Sequence, residues 1–306
     1  MTPSPSPTPT PSHRPFTLVL SGGGARGFAH AGALLALERL GYRPSAIVGV
    51  SMGAVVGGTY GLNPEWLSAL LGMDTNSFPE PMPTLDQQRQ SWKLRMRGRW
   101  LNVKFGYRLV TGWGIGASAR ASGLQALRSL TRGRPLEEAE PPVAVCATDL
   151  RGGSRQVLRM GDATEAIYGS VALAGVLPPL ERDGYLLADG AYSDLAPVDI
   201  AREYGHPIVI AVDPGQDPVP EVIHNGFQAL RRAVEVCNRT HAKMGLQGAD
   251  LVVRPDFRRA IDTLDFDSRR ECVAAGVRGV RAERHRVASL LLRSTDPERE
   301  SERTVS

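Results

Sequence analysis

The chain has 306 residues, 42% apolar and 22% charged, with 33 glycines and three cysteines. That balance excludes a disordered or fibrous chain and leaves enough sequence for one large buried core. The net charge of +4 is dispersed over many arginines, with Lys93, Lys104 and Lys243 as the lysines; it is too weak and scattered to point to nucleic acid, which is not expected as a partner.

Cys146, Cys237 and Cys272 are odd in number and far apart, a pattern of a reducing compartment rather than of disulfides or a metal site. A cytoplasmic protein without metal or cofactor is the expectation. Residues 1–15 are rich in Pro, Thr and Ser and lack an apolar core, so they read as a disordered lead-in rather than a secretory signal. Ser45 to Pro64 is uncharged over about the length of a membrane span. Its five glycines and bounding prolines fit a buried strand, turn and helix better.

Phe16–Leu20 is a short apolar run of the kind found in strands covered on both faces. The glycine cluster Gly22 to Gly27 follows, then a helix from about Phe28 to Leu40 stopped by Gly41. Ala46–Val50 is the second strand and runs into Gly49-Val50-Ser51-Met52-Gly53, which opens another helix. A βαβα opening predicts an α/β fold with a mostly parallel central sheet.

Residues from about 63 to 116 break this rhythm. Leu85 to Arg108 carries seven basic residues against Asp86 alone, interleaved with Trp92, Trp100, Phe105 and Tyr107. The insertion, about 85–116, reads as an irregular surface segment, as a lid in peripheral contact with an anionic membrane, or, on its basic and aromatic residues alone, as a nucleic-acid contact. Regular elements resume with a helix from Leu124 to Leu130, a strand from Val143 to Thr148 closed by Asp149, and an edge strand at Gln156 to Arg159. A buried helix spans Ala163 to Ala174, and a hairpin turns at Asp183-Gly184 within Leu180 to Leu187.

A helix from Pro197 to Tyr204, a strand at Ile208 to Val212, a long helix at Phe227 to Lys243 and a strand at Leu251 to Val253 come next. The last helix opens on Ser268-Arg269-Arg270-Glu271, a capping-box pattern, and runs to about Leu292 with a break near Gly276 or Gly279. Residues 294–306 read as a mobile polar tail, leaving 16–293 as the folded domain.

Gly22 to Gly27 satisfies G-x-G-x-x-G between a strand and a helix, but no Asp or Glu occurs between Glu38 and Glu65 to hold a ribose. The same loop, beside a helix N-terminus, offers backbone N–H groups to an oxyanion, with Arg26 adding positive charge. Gly49 to Gly53 fits the nucleophile elbow, in which a serine stands on a sharp strand-to-helix turn. A serine hydroxyl needs a base. His13, assigned to the lead-in, and His30, His206, His224, His241 and His285 lack the context of a catalytic histidine. Asp189 interrupts an apolar approach just before Gly190-Ala191, though a turn aspartate explains it as well.

Ser21 to Gly27, Gly49 to Gly53 and Asp189-Gly190-Ala191, in this order and at these separations, resemble the patatin-like phospholipase family. Ala147 to Leu150, Ala174 to Pro179 and Ile208 to Asp213 share the likeness, which covers roughly Phe16 to Arg254. The resemblance implies a three-layer α/β/α fold with the elbow after the second strand. It implies a Ser-Asp dyad, with Ser51 as nucleophile and Asp189 as base, and an oxyanion loop at Gly22, Gly23, Gly24, Arg26 and Gly27. Gly49, Met52 and Gly53 would frame the elbow, and Gly190 and Ala191 the aspartate. The implied reaction is hydrolysis of a lipid or other carboxylic ester through an acyl-serine. Two alternatives stay open: an esterase with a Ser-Asp-His triad, and a weakly active regulatory or lipid-binding member of the fold.

Overall fold

The structure is a computed structural model and describes residues 13–74, 113, 120–217 and 220–292. The basic Trp-rich segment, apart from Trp113, and the polar tail lie outside the described residues, as does the lead-in up to residue 12.

The eight strands are β1 (Phe16–Leu20), β2 (Ala46–Val50), β3 (Val143–Asp149), β4 (Ser154–Leu158), β5 (Leu180–Arg182), β6 (Tyr185–Asp189), β7 (Ile208–Val212) and β8 (Leu251–Val253). They form one sheet along the path β5-β6-β3-β2-β1-β7-β8, with β4 also paired to β3. The five central strands β3, β2, β1, β7 and β8 are parallel, and the β4 and β5–β6 pairings are antiparallel. β1, β2, β3 and β7 are buried at every residue, which is why they read as unbroken apolar runs rather than alternating ones.

Alternate strand residues feed two cores. Leu18, Leu20, Ile47, Val145 and Ile210 face the larger one, which packs against α1 (Ala29–Arg39), α2 (Met52–Leu62), α3 (Trp66–Leu71), α4 (Arg120–Thr131), α5 (Ala163–Val171) and α8 (Arg269–Ala282). Val19, Val48, Ala144 and Val209 face the smaller one, under α6 (Val198–Arg202) and Leu246. The fold is therefore three-layered α/β/α. Two further helices lie among the described residues: α7 (Gly226–Gly245) and α9 (Arg284–Leu291).

Four details differ from the sequence reading. His13 belongs to the body: it is 4% exposed, its Nε2 accepts the Arg43 N–H at 3.1 Å, and Tyr42 packs edge-on against it. The fifth helix ends at Val171 because the Ala172 carbonyl accepts the Asp189 N–H at 3.0 Å. Ser268 makes no cap bond. Its hydroxyl donates to Asp265, while Glu271 pairs with Arg259 at 3.0 Å.

The last helix breaks at Glu283, between α8 and α9, and not at its glycines. A Cβ on Gly276 would lie 1.9 Å from the Ala29 carbonyl oxygen, and one on Gly32 the same distance from that of Val273. These glycines let α1 and α8 touch backbone to backbone, a packing role invisible in a helix-breaker scan.

Candidate active site

The site forms where two strands meet end to end. On β3, β4 pairs with Val145 to Asp149, overlapping the partners of both β2 and β6, so β2 and β6 must share the opposite edge. Val50 pairs with Cys146, and Asp189 pairs with the next residue, Ala147. β2 arrives parallel and β6 antiparallel, so the residue after Val50 and the last residue of β6 are brought face to face. The Ser51 hydroxyl donates to Asp189 Oδ2 at 2.8 Å, across 138 residues of chain.

Ser51 sits at φ 52°, ψ −124°, a conformation costly for a residue with a Cβ. Its N–H donates at 2.8 Å to the Ser170 hydroxyl, which donates in turn to the Cys146 carbonyl. The turn is tight because α2 starts at once: Gly53 lies so close to β1 that a Cβ there would stand 2.0 Å from the Leu20 carbonyl oxygen. Gly49 packs on the Ala54 backbone, and Met52 contacts Gly27 across the loop.

Asp189 is 4% exposed. Its Oδ1 accepts the Ala191 N–H at 2.9 Å, and its backbone carbonyl accepts the Thr148 hydroxyl. Gly190 lies against the Cys146 carbonyl and Val50. Burial pushes the Asp189 carboxyl up to about 6, against the opposing pull of the Ala191 and Ser51 hydrogen bonds. A carboxylate so placed is ionised near neutral pH yet holds a proton better than an exposed one.

The glycine loop runs beside Ser51, with a Cβ on Gly22 falling 3.6 Å from that of the serine. Of its three expected donors, Gly22 is already committed, its N–H donating to the Leu195 carbonyl at 3.2 Å. The Gly23 and Gly24 N–H groups donate to no group among the described residues. Gly23 packs on Pro214, and Gly24 takes φ 54° against Thr263. Arg26 bonds the Gly23 carbonyl at 3.5 Å and makes no hydrogen bond to Ser51 or Asp189. It braces the loop rather than meeting the serine.

Beneath the loop, His30 Nε2 donates to the Ser21 carbonyl at 2.7 Å, and full burial pushes the imidazole down to about 4. His206 bonds Thr17. All six histidines lie among the described residues, and none hydrogen-bonds Ser51 or Asp189. Among the described residues no cluster of three His, Cys, Asp or Glu side chains could hold a metal, and no helix is long and apolar enough to cross a membrane.

Ser170, Thr148 and Leu195 are the site residues that sequence reasoning missed. Ser170 left one trace, a hydroxyl in the otherwise apolar stretch from Ala166 to Ala174 that also contains Tyr168.

A mostly parallel α/β sheet with a serine on a strained elbow bonded to a buried aspartate defines the architectural class. Within it, residues 18–202 match the model of the patatin-like phospholipase family, and the chain belongs to that family. It is 32% identical over 203 residues to the patatin-like phospholipase domain-containing protein ZK370.4 of Caenorhabditis elegans, covering 65% of this chain and 13% of that one. It is equally identical to lysophospholipase NTE1 of Cryptococcus neoformans var. neoformans serotype D, over 65% of this chain and 11% of the relative. The human patatin-like phospholipase domain-containing protein 6 matches at 32%, over 65% and 13%. The chain thus spans about an eighth of the length of these relatives. Among solved structures, VipD from Legionella pneumophila aligns over 89% of this chain and 66% of its own, with 16% identity and a TM-score of 0.44.

Proposed function

We propose that this protein hydrolyses carboxylic esters of lipids through an acyl-Ser51 intermediate, with Asp189 as the sole general base. The observation that carries the reading is the 2.8 Å bond from the Ser51 hydroxyl to a buried carboxylate, on a turn whose strain the surrounding packing maintains. Names among its relatives, phospholipase and lysophospholipase, support a lipid ester as substrate.

In this mechanism the Ser51 oxygen adds to the ester carbonyl as its proton passes to Asp189. The oxyanion is met by the N–H groups of Gly23 and Gly24. Collapse of the adduct breaks the ester bond, and Asp189 returns the proton to the departing alcohol. A water then gives its proton to Asp189, attacks the acyl-serine and releases the fatty acid, restoring the hydroxyl. The elevated Asp189 carboxyl suits this work, since a base closer to neutrality accepts a proton with less penalty. A triad is disfavoured because both Asp189 oxygens are already engaged, by Ser51 and Ala191, with no histidine between.

The test is labelling and turnover together. A fluorophosphonate should modify Ser51 in the wild type and nothing in Ser51→Ala. Turnover of a nitrophenyl acyl ester and of lysophospholipid should disappear in Ser51→Ala and fall about 10²- to 10⁴-fold in Asp189→Asn. Undiminished turnover in purified Ser51→Ala protein would refute the assignment.

A further inference from the structure

Helix α7 is built inside out. Its partly or fully buried positions among the described side chains, Gln228, Arg232, Glu235, Asn238, Arg239, Ala242 and Gly245, follow one face and are mostly polar. Arg239 inserts there as a bidentate partner of Asp213, at 2.8 and 3.1 Å, and also meets Asp217. The outward stripe is largely apolar: Leu230 is 62% exposed, Val234 37% and Met244 56%, with the exposed Cys237, Thr240 and His241 among them. Val222 and Ile223, just before the helix, are exposed as well. A surface helix of a globular protein normally turns these two faces the other way.

We propose that the outward face of α7 is the surface by which the protein lies on a phospholipid bilayer, presenting its active-site edge to the lipid. Three observations select this occupant. First, α7 is fastened to the carboxyl ends of the strands, the edge that carries Ser51. Asp213 follows β7, its neighbour Pro214 backs Gly23, and Gly245 packs on Ala196 next to the Leu195 that holds Gly22.

Second, the stripe is too small for a stable pair of copies. A 20-residue helix offers a face of about 30 by 10 Å, well below the roughly 800 Å² per partner of a durable protein interface. A bilayer needs no complementary shape and takes such a stripe a few ångströms deep. Third, the cations of the helix, Arg231, Arg232, Arg239 and Lys243, are held by Glu221, Glu235, Asp213 and Asp217 on its flanks and inner side. That keeps Arg, Lys, Asp and Glu off the outward face, where His241 and the Cys237 thiol are the titratable groups. The choice of lipid as partner rests on the ester-hydrolase reading above, which names the substrate phase but not the surface that meets it.

The test is flotation of purified Ser51→Ala protein with phosphatidylcholine–phosphatidylglycerol vesicles, so that binding is read without turnover. The protein should float with the vesicles. Leu230→Glu/Val234→Glu in the same background should bind about 100-fold more weakly, with its melting temperature kept as the check of folding. Absence of flotation, or flotation undiminished in the double variant, would overturn the proposal. So would a concentration-dependent dimer, seen by light scattering, that the double variant abolishes while vesicles are ignored. Turnover of dispersed nitrophenyl esters by wild-type protein that does not float would remove the docking surface and leave the hydrolase standing. Flotation without turnover would do the reverse.

Discussion

Helices α2 and α7 both attach to the sheet edge that carries Ser51 and are opposites in every other respect. α2 carries no charge and is buried at each of its residues from Met52 to Leu62. α7 is nearly twice as long, strongly charged, and exposed over most of its surface, with its aliphatic side chains on the exposed side. The sequence of α2 is explained by the fold alone, because the sheet and its flanking helices consume all of its apolar surface. That of α7 is not: a polar seam joins it to Asp213 and Asp217, and its exposed apolar side chains Leu230, Val234 and Met244 contribute little to the folded state. The exposed apolar residues Leu230, Val234 and Met244 are the basis of the bilayer contact proposed above.

The comparison can be broken hardest at the close contact of α2. Gly53→Ala would drive a Cβ into the β1 backbone at 2.0 Å, and a loss of more than about 4 kcal/mol is expected, seen as failure to fold or a collapsed denaturant midpoint. On α7 the corresponding weak point is polar. Arg239→Ala leaves Asp213, whose side chain is wholly buried, without its principal partner, at a cost of about 3 kcal/mol in urea unfolding.

The charge that faces the start of α2 gives the next effect, and its sign is opposite. The Asp189 carboxyl stands near 6 in the folded protein, above about 3.9 when unfolded. Protonation therefore favours folding, and this contribution is complete below the unfolded value and lost as pH rises through about 6. Asp189→Asn should consequently stabilise the protein at pH 8 by on the order of 2 to 3 kcal/mol while abolishing most activity. Below about pH 4 the two proteins should melt alike. One substitution made on both helices sharpens the contrast directly, and its α7 member is the smallest effect of all. Leu62→Ala, in α2 and 1% exposed, should cost about 3 kcal/mol. Leu230→Ala in α7 should change stability by less than about 0.5 kcal/mol.

Much of this architecture was legible from residue order. Fully buried strands announce themselves as five-residue apolar runs, and an elbow announces itself because only glycines tolerate its backbone contacts. Asp189 stood out after Leu186-Leu187-Ala188, but a turn aspartate explained it as well, and its side chain does accept the Ala191 N–H; its role as base was implied only by the family resemblance. What stayed hidden depends on partners remote in sequence. Nothing around Gly22 says that Leu195 will occupy its N–H, and nothing around Ser170 says that it will anchor Ser51 from 119 residues away. Gly276 and Gly279 read as a helix break because local propensity was weighed without the neighbours, Ala29 and Arg254, that need their missing side chains. The inversion of α7 was hidden for a related reason: periodicity reveals that a helix has two faces, not which one the protein keeps for itself.

The end-to-end meeting of β2 and β6 on one edge of β3 also separates the dimensions in which this protein can vary. Distance between Ser51 and Asp189 is set by strand register, and the chain that joins them is slack by comparison. Extra residues at the hairpin tip, where Asp183 and Gly184 turn with positive φ, would lengthen a surface excursion and leave register intact. A single residue inserted within Leu186 to Ala188 would instead carry the carboxylate one strand step, about 3.4 Å, and point it through the opposite side of the sheet. Tolerance of insertion should therefore rise steeply over the few residues between Ala188 and Gly184, making this short hairpin a graft site for foreign loops directly beside the chemistry.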